Sequence, residues 1–181
     1  MKQLYFMMVA LLLFSCKNQN QMETEKFVSQ RVSKTAIIQL NGSIEKVFPL
    51  FGAFEEKKWA DKWDPKLVYP STERIEEGTV FKTKGHGHNE TGFLWIVTKY
   101  QPNDHLIQYL VSTENRYWTI TIKCTGSGKL TSAEITYSYT GLNLIGNQIN
   151  PIAMQSIYMQ NLKDWEKSIN YYLQTGKTLK E

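Results

Sequence analysis

The sequence predicts a single α+β domain: a curved antiparallel sheet of about seven strands around a long C-terminal helix, with two short helices after the first strand. Three observations carry that expectation. Apolar residues after Ser43 recur at helical spacing, and beyond Asp64 they switch to a period of two that lasts to Thr140. Gly-, Pro- and Asn-bearing turns divide that second stretch into short strands. Last, Met154, Tyr158, Leu162, Trp165, Ile169 and Tyr172 succeed one another at spacings of three and four, a continuous apolar stripe on one helix.

In chain order, the first strand is expected from Thr35 to Leu40. Asn41-Gly42-Ser43 ends it, and Ser43 can cap the first short helix. Ile44, Val47, Phe48 and Phe51 then form one helical face, which Pro49 keeps short. A second helical segment runs from Glu55 to Trp63 and closes at Asp64-Pro65, with Trp59 and Trp63 four apart on one side. Strands are then expected at Lys66 to Tyr69, Thr79 to Lys84, Gly92 to Tyr100 and His105 to Ser112. From Tyr117 to Thr125, Trp118, Ile120, Ile122 and Cys124 alternate with polar residues. After the Gly126-Ser127-Gly128 hairpin, Ala133, Ile135, Tyr137 and Tyr139 do the same. Such alternation gives one wet face and one buried face. The closing helix is expected to start at Asn150-Pro151 and to stop before Gly176.

Residues 1–15 read as a lipoprotein signal peptide. Lys2 precedes an uncharged run from Leu4 to Phe14, which is too short to span a bilayer as a helix. Leu13-Phe14-Ser15-Cys16 resembles a lipobox, which implies lipidation at Cys16. Residues 16–32 then form a polar tether, 33–176 the domain and 177–181 a tail. The expected location is the bacterial cell envelope, on the periplasmic face of a membrane. Several acyl chains hold a protein on a bilayer unaided, so the expected membrane contact is through the anchor only. Cys124 has no partner for a disulfide and falls on an inward strand position, as a small core residue. The formal net charge of +4 is mild and no Lys/Arg cluster stands out, which excludes nucleic acid as an expected partner.

Several stretches resemble the SRPBCC superfamily, with its START-like, helix-grip fold, and its polyketide cyclase/dehydrase-like branch in particular. They are Val47-Phe48-Pro49-Leu50-Phe51, Trp59 with Trp63-Asp64-Pro65, Gly78-Thr79-Val80-Phe81, Trp95-Ile96-Val97-Thr98 with Tyr100 and Pro102, and Leu162 with Trp165. The resemblance implies an apolar cavity between sheet and helix that takes lipids, sterols, polyketides or similar molecules. The residues placed to line it are Trp95, Tyr109, Trp118, Ile120, Tyr137, Tyr139, Met154, Tyr158 and Leu162.

His86-Gly87-His88-Asn89-Glu90 is the sharpest polar feature. In an extended segment the two histidines and the carboxylate share a face, but no third His or Cys is near, so no metal is expected. His86 and His88 are instead candidates for a polar gate. No nucleophile elbow, phosphate loop or dinucleotide fingerprint occurs, and no cofactor is expected. Three functions remain open: a tethered domain that binds a hydrophobic small molecule, a cyclase or dehydratase with a histidine or buried tyrosine as proton handler, and a protein-interaction module.

Overall fold

A computed structural model describes residues 26–85 and 87–180. Seven antiparallel strands form one sheet in the order β1-β7-β6-β5-β4-β3-β2. They are β1 (Arg31–Leu40), β2 (Lys66–Tyr69), β3 (Val80–Lys84), β4 (Gly92–Gln101), β5 (Leu106–Ser112), β6 (Arg116–Ser127) and β7 (Leu130–Gly141). From β2 to β7 every neighbour in the sheet is a neighbour in sequence, so short turns suffice. Only β1 must cross to pair with β7, and the two helical segments make that crossing. α1 (Ile44–Val47) runs straight into a 3₁₀ turn, Phe48–Phe51, and a second 3₁₀ turn covers Glu56–Lys58. β1 begins two residues before the expected domain start at 33, and Ser29 already bonds the carbonyl of Gly141.

The C-terminal helix differs most from expectation. It is two helices, α2 (Leu144–Ile157) and α3 (Lys163–Thr175). α2 starts six residues earlier than the Asn150-Pro151 reading. The Asn143 side chain caps it by accepting from the Gly146 amide at 3.0 Å, and Pro151 sits inside it. Gly146 is required there, because a Cβ would stand 2.0 Å from the Asn115 carbonyl oxygen. The break falls where Asn161 and Leu162 take left-handed backbone angles. That conformation is costly for a branched residue, and here it accompanies full burial of the Leu162 side chain. Tyr158, just before the break, stitches it to β7: its hydroxyl donates to the Ile135 carbonyl at 2.9 Å and accepts from the Tyr137 amide at 3.2 Å. The apolar stripe was legible because burial continues across the break. The break itself has no apolar signature.

Candidate functional site

The register brings the aromatic residues of the strands into adjacent rungs. Trp95 pairs with Val111, Val111 with Trp118 and Trp118 with Tyr139. One step along, Val97 pairs with Tyr109, Tyr109 with Ile120 and Ile120 with Tyr137. Side chains of one parity point to one face, so these rungs form the floor of a concave surface. Above it stand Trp59 and Trp63 from the β1–β2 crossing, Ala153, Ser156 and Ile157 from α2, and Trp165 from α3. They enclose a cavity of about 430 Å³. All five tryptophans of the chain lie on its wall.

The tryptophans are held, not loosely packed. Trp59 donates its indole N–H to the Leu50 carbonyl at 2.7 Å and Trp63 to that of Ala53 at 2.6 Å. Trp95 donates to Thr83 Oγ1 and stacks on Phe81 with ring centroids 5.4 Å apart. Trp59 meets Trp165 at 5.5 Å and Trp118 meets Tyr139 at 5.3 Å. The Tyr109 hydroxyl is spent on the Phe51 carbonyl at 2.8 Å.

Two polar features interrupt this apolar wall. Arg116 enters it from the first position of β6 and forms a fork with Glu90, Nε donating to Oε1 at 2.8 Å and Nη2 to Oε2 at 2.5 Å. Both side chains are almost wholly buried. The guanidinium also lies over the rings of Trp118 and Tyr139, at 4.9 and 5.2 Å. Burial works to raise the Glu90 carboxyl, but its bonds with Arg116 and the Arg116 charge outweigh that and hold it below its ordinary range. The second feature is Glu56. Its carboxyl lies on the cavity wall, with no hydrogen bond or ion pair to any described residue. Burial pushes it well above the ordinary carboxylate range. Tyr109 and Tyr137 are also pushed well up, first by their own burial and then by Glu56 beside them, and in Tyr137 by Tyr139 as well.

Of the residues predicted to line the cavity, Trp95, Tyr109, Trp118, Ile120, Tyr137 and Tyr139 stand on its wall. Met154, Tyr158 and Leu162 do not. All three are buried, but Met154 turns off the wall, Tyr158 is committed to β7, and Leu162 lies under the helix break. His88 reaches the rim, with a left-handed backbone and an exposed side chain. His86 and Cys16 lie outside the described residues. Glu90, grouped with the histidines by sequence, turns to Arg116.

Glu56 and Arg116 were missed, though each carried a signal. Glu56, Trp59 and Trp63 are spaced 0, 3 and 7, one helical face. Arg116 shares parity with Trp118, Ile120 and Ile122.

No family model and no curated protein matches this chain. Solved structures do. Norcoclaurine synthase from Thalictrum flavum, in complex with dopamine and hydroxybenzaldehyde, superposes with a TM-score of 0.59 at 10% identity, over 90% of this chain and all of that one. This is the helix-grip, START-like fold. Ara h 8.0201 superposes on the helix-grip domain with a TM-score of 0.56 at 13% identity, over 81% of this chain and 99% of its own. At such identities the likeness speaks for the fold, with the cavity of this chain described by its own residues.

Proposed function

We propose that this helix-grip domain binds a compact, ring-bearing small molecule in its aromatic cavity, while held at a membrane of the bacterial envelope through lipidated Cys16. The single observation that carries the binding reading is the cavity itself: about 430 Å³, walled by every tryptophan of the chain and roofed by separate helices. That volume lies toward the small end of the range for small-molecule sites. It suits a molecule of a few rings better than a two-chain lipid. The solved norcoclaurine synthase complex, with its two aromatic ligands, is consistent with such an occupant in the same fold. The test is native mass spectrometry of the purified protein, together with titration of an apolar fluorescent probe. A co-purifying ring compound, or saturable probe binding abolished by filling the cavity, is expected. An empty protein that never saturates with probe removes the reading.

A second reading, acid–base catalysis, rests on Glu56. A carboxyl without a partner among the described residues, held above its ordinary range by burial in an aromatic pocket, is an arrangement that general acids use. Glu56 lies on the cavity wall, where His88 also reaches the rim. Turnover of a bound ring compound, lost in Glu56→Gln with binding retained, is the outcome that distinguishes catalysis from binding alone.

A further inference from the structure

The outer face of α2 and its flanking residues is uncharged, with large apolar side chains exposed beside Gln148 and Gln155. Leu142, Leu144, Ile145, Ile152 and Met159 are exposed by 49, 67, 53, 57 and 77%. Scattered surface hydrophobes are ordinary, but a contiguous patch marks a contact. Phe27 and Val28 are two further exposed apolar residues, on the chain that leads into β1. That chain is clipped to α2: Asn147 Nδ2 donates to the Val28 carbonyl at 2.9 Å and its Oδ1 accepts from the Gln30 amide at 3.0 Å. From Gly141 to Leu162 there is no Asp, Glu, Lys or Arg at all. The inner face of the same helix supplies Ala153, Ser156 and Ile157 to the cavity wall, and Ser156 is itself exposed, so the cavity's rim borders the apolar patch.

We propose that the outer face of α2, with Phe27 and Val28, docks on the lipid bilayer and turns the cavity mouth toward it. The path of the chain identifies the occupant. Val28 and Gln30 lie beside α2, and Cys16 is only 11 residues before Phe27. Such a tether spans about 40 Å when extended and about 20 Å when flexible. An anchored domain on so short a lead holds this face close to the acyl chains. A helix with apolar and amide side chains but no charges suits the interface, where charges would resist burial. The anchor alone was expected to make all membrane contact, and α2 adds a surface that orients the domain. Docking rests on the lipidation of Cys16, and it opens a route by which a membrane-dissolved ring compound reaches the cavity without crossing water.

The experiment uses the full lipidated protein in phosphatidylcholine–phosphatidylglycerol vesicles. A small fluorophore is attached at Ile145→Cys, at Ile152→Cys, or at the control Leu130→Cys, an exposed apolar residue on the β6–β7 hairpin. Cys124 is buried, with its thiol pushed up to about 12, and stays unlabelled. The expected result is several-fold stronger quenching by doxyl lipid at the two α2 sites than at the control, with protection of those sites from aqueous iodide. Iodide quenching equal to the control on vesicles that float with protein overturns docking and leaves the anchor standing. Protection from both quenchers means that protein, a second copy included, covers the face, and also overturns it. A protein that does not float with vesicles removes anchor and docking together.

Discussion

Strand β7 has two different halves on one face. Thr131, Ala133 and Ile135 are wholly buried on the half of the strand that α1 packs against, in a core with Leu40, Val47, Phe51 and Ile169. Two and four residues further on, Tyr137 and Tyr139 face the cavity. The same strand, with the same pleat, therefore closes one end and floors an opening at the other. Small and aliphatic side chains let helix and sheet approach until no void is left, which is how interiors reach their density. Large rings tied to carbonyls hold the elements apart. A helix break divides the cover, so that α2 packs along β7 and β1 while α3 turns to pack on β1. The difference shows that this cavity is constructed, by residues with defined partners, and is no packing fault.

The largest effect is expected where charge enters the open end. Arg116→Ala leaves Glu90 buried without its partner, and breaking such a pair costs about 3–5 kcal/mol. Chemical denaturation should report that loss. Glu90→Ala/Arg116→Ala, which removes both charges, should recover a large part of it. A double variant as unstable as the single one means that the fork itself, and not the orphaned carboxylate, supports this end. At the closed end, Leu162→Ala should cost about 2–5 kcal/mol, since its side chain is wholly buried and stands off the wall of the aromatic cavity. A loss well under that range places empty space beneath the helix break and weakens the contrast between the ends.

A finer contrast lies within α2, between adjacent residues. Met154 is buried off the cavity wall, whereas Ala153 stands on it. Met154→Trp should overpack and cost about 1–3 kcal/mol. Ala153→Phe should melt close to the parent, because its ring enters open volume, and it should lose the apolar probe. Equal destabilisation by the two changes is the result that denies the void at this end.

Much of this was legible in sequence for a physical reason. Period-two alternation and sharp turns report strands directly, so the sheet and its inward residues from Trp95 to Tyr139 could be placed. The stripe from Met154 to Tyr172 reported burial equally well, but periodicity cannot see a break that preserves which side faces inward. Hence Met154, Tyr158 and Leu162 were placed on the cavity when the break at Asn161 and Leu162 gives them other neighbours. Glu56 and Arg116 were passed over because charge at an inward position contradicts the rule that reads the rest. Arg116 is neutralised by Glu90, a residue 26 positions away that only the fold brings near. Glu56 is not neutralised by any described side chain.

That leaves the smallest effect, and the one most informative about chemistry. Glu56 is held well above its ordinary range by burial, so over a window of pH the folded protein keeps a proton that the unfolded chain has released. The window opens at the ordinary carboxylate value, about 4.3 for glutamate, and closes at the raised one. By linkage, stability falls as pH rises wherever the folded state binds more protons. Wild type should therefore lose stability across this window relative to Glu56→Gln. The two should be closest at its acidic end and furthest apart above it. Tyr109, Tyr137 and Tyr139 face the same space, but burial moves them away from neutrality and keeps them silent there. His88 on the rim and Asp164 near Tyr137 are present in both proteins and cancel in the comparison. Melting curves of the two proteins at matched ionic strength, from mildly acidic to mildly alkaline pH, make the measurement. Parallel profiles would place Glu56 in water like any surface carboxylate. The cavity would then keep its aromatic walls but lose its proton handler, and the catalytic reading with it.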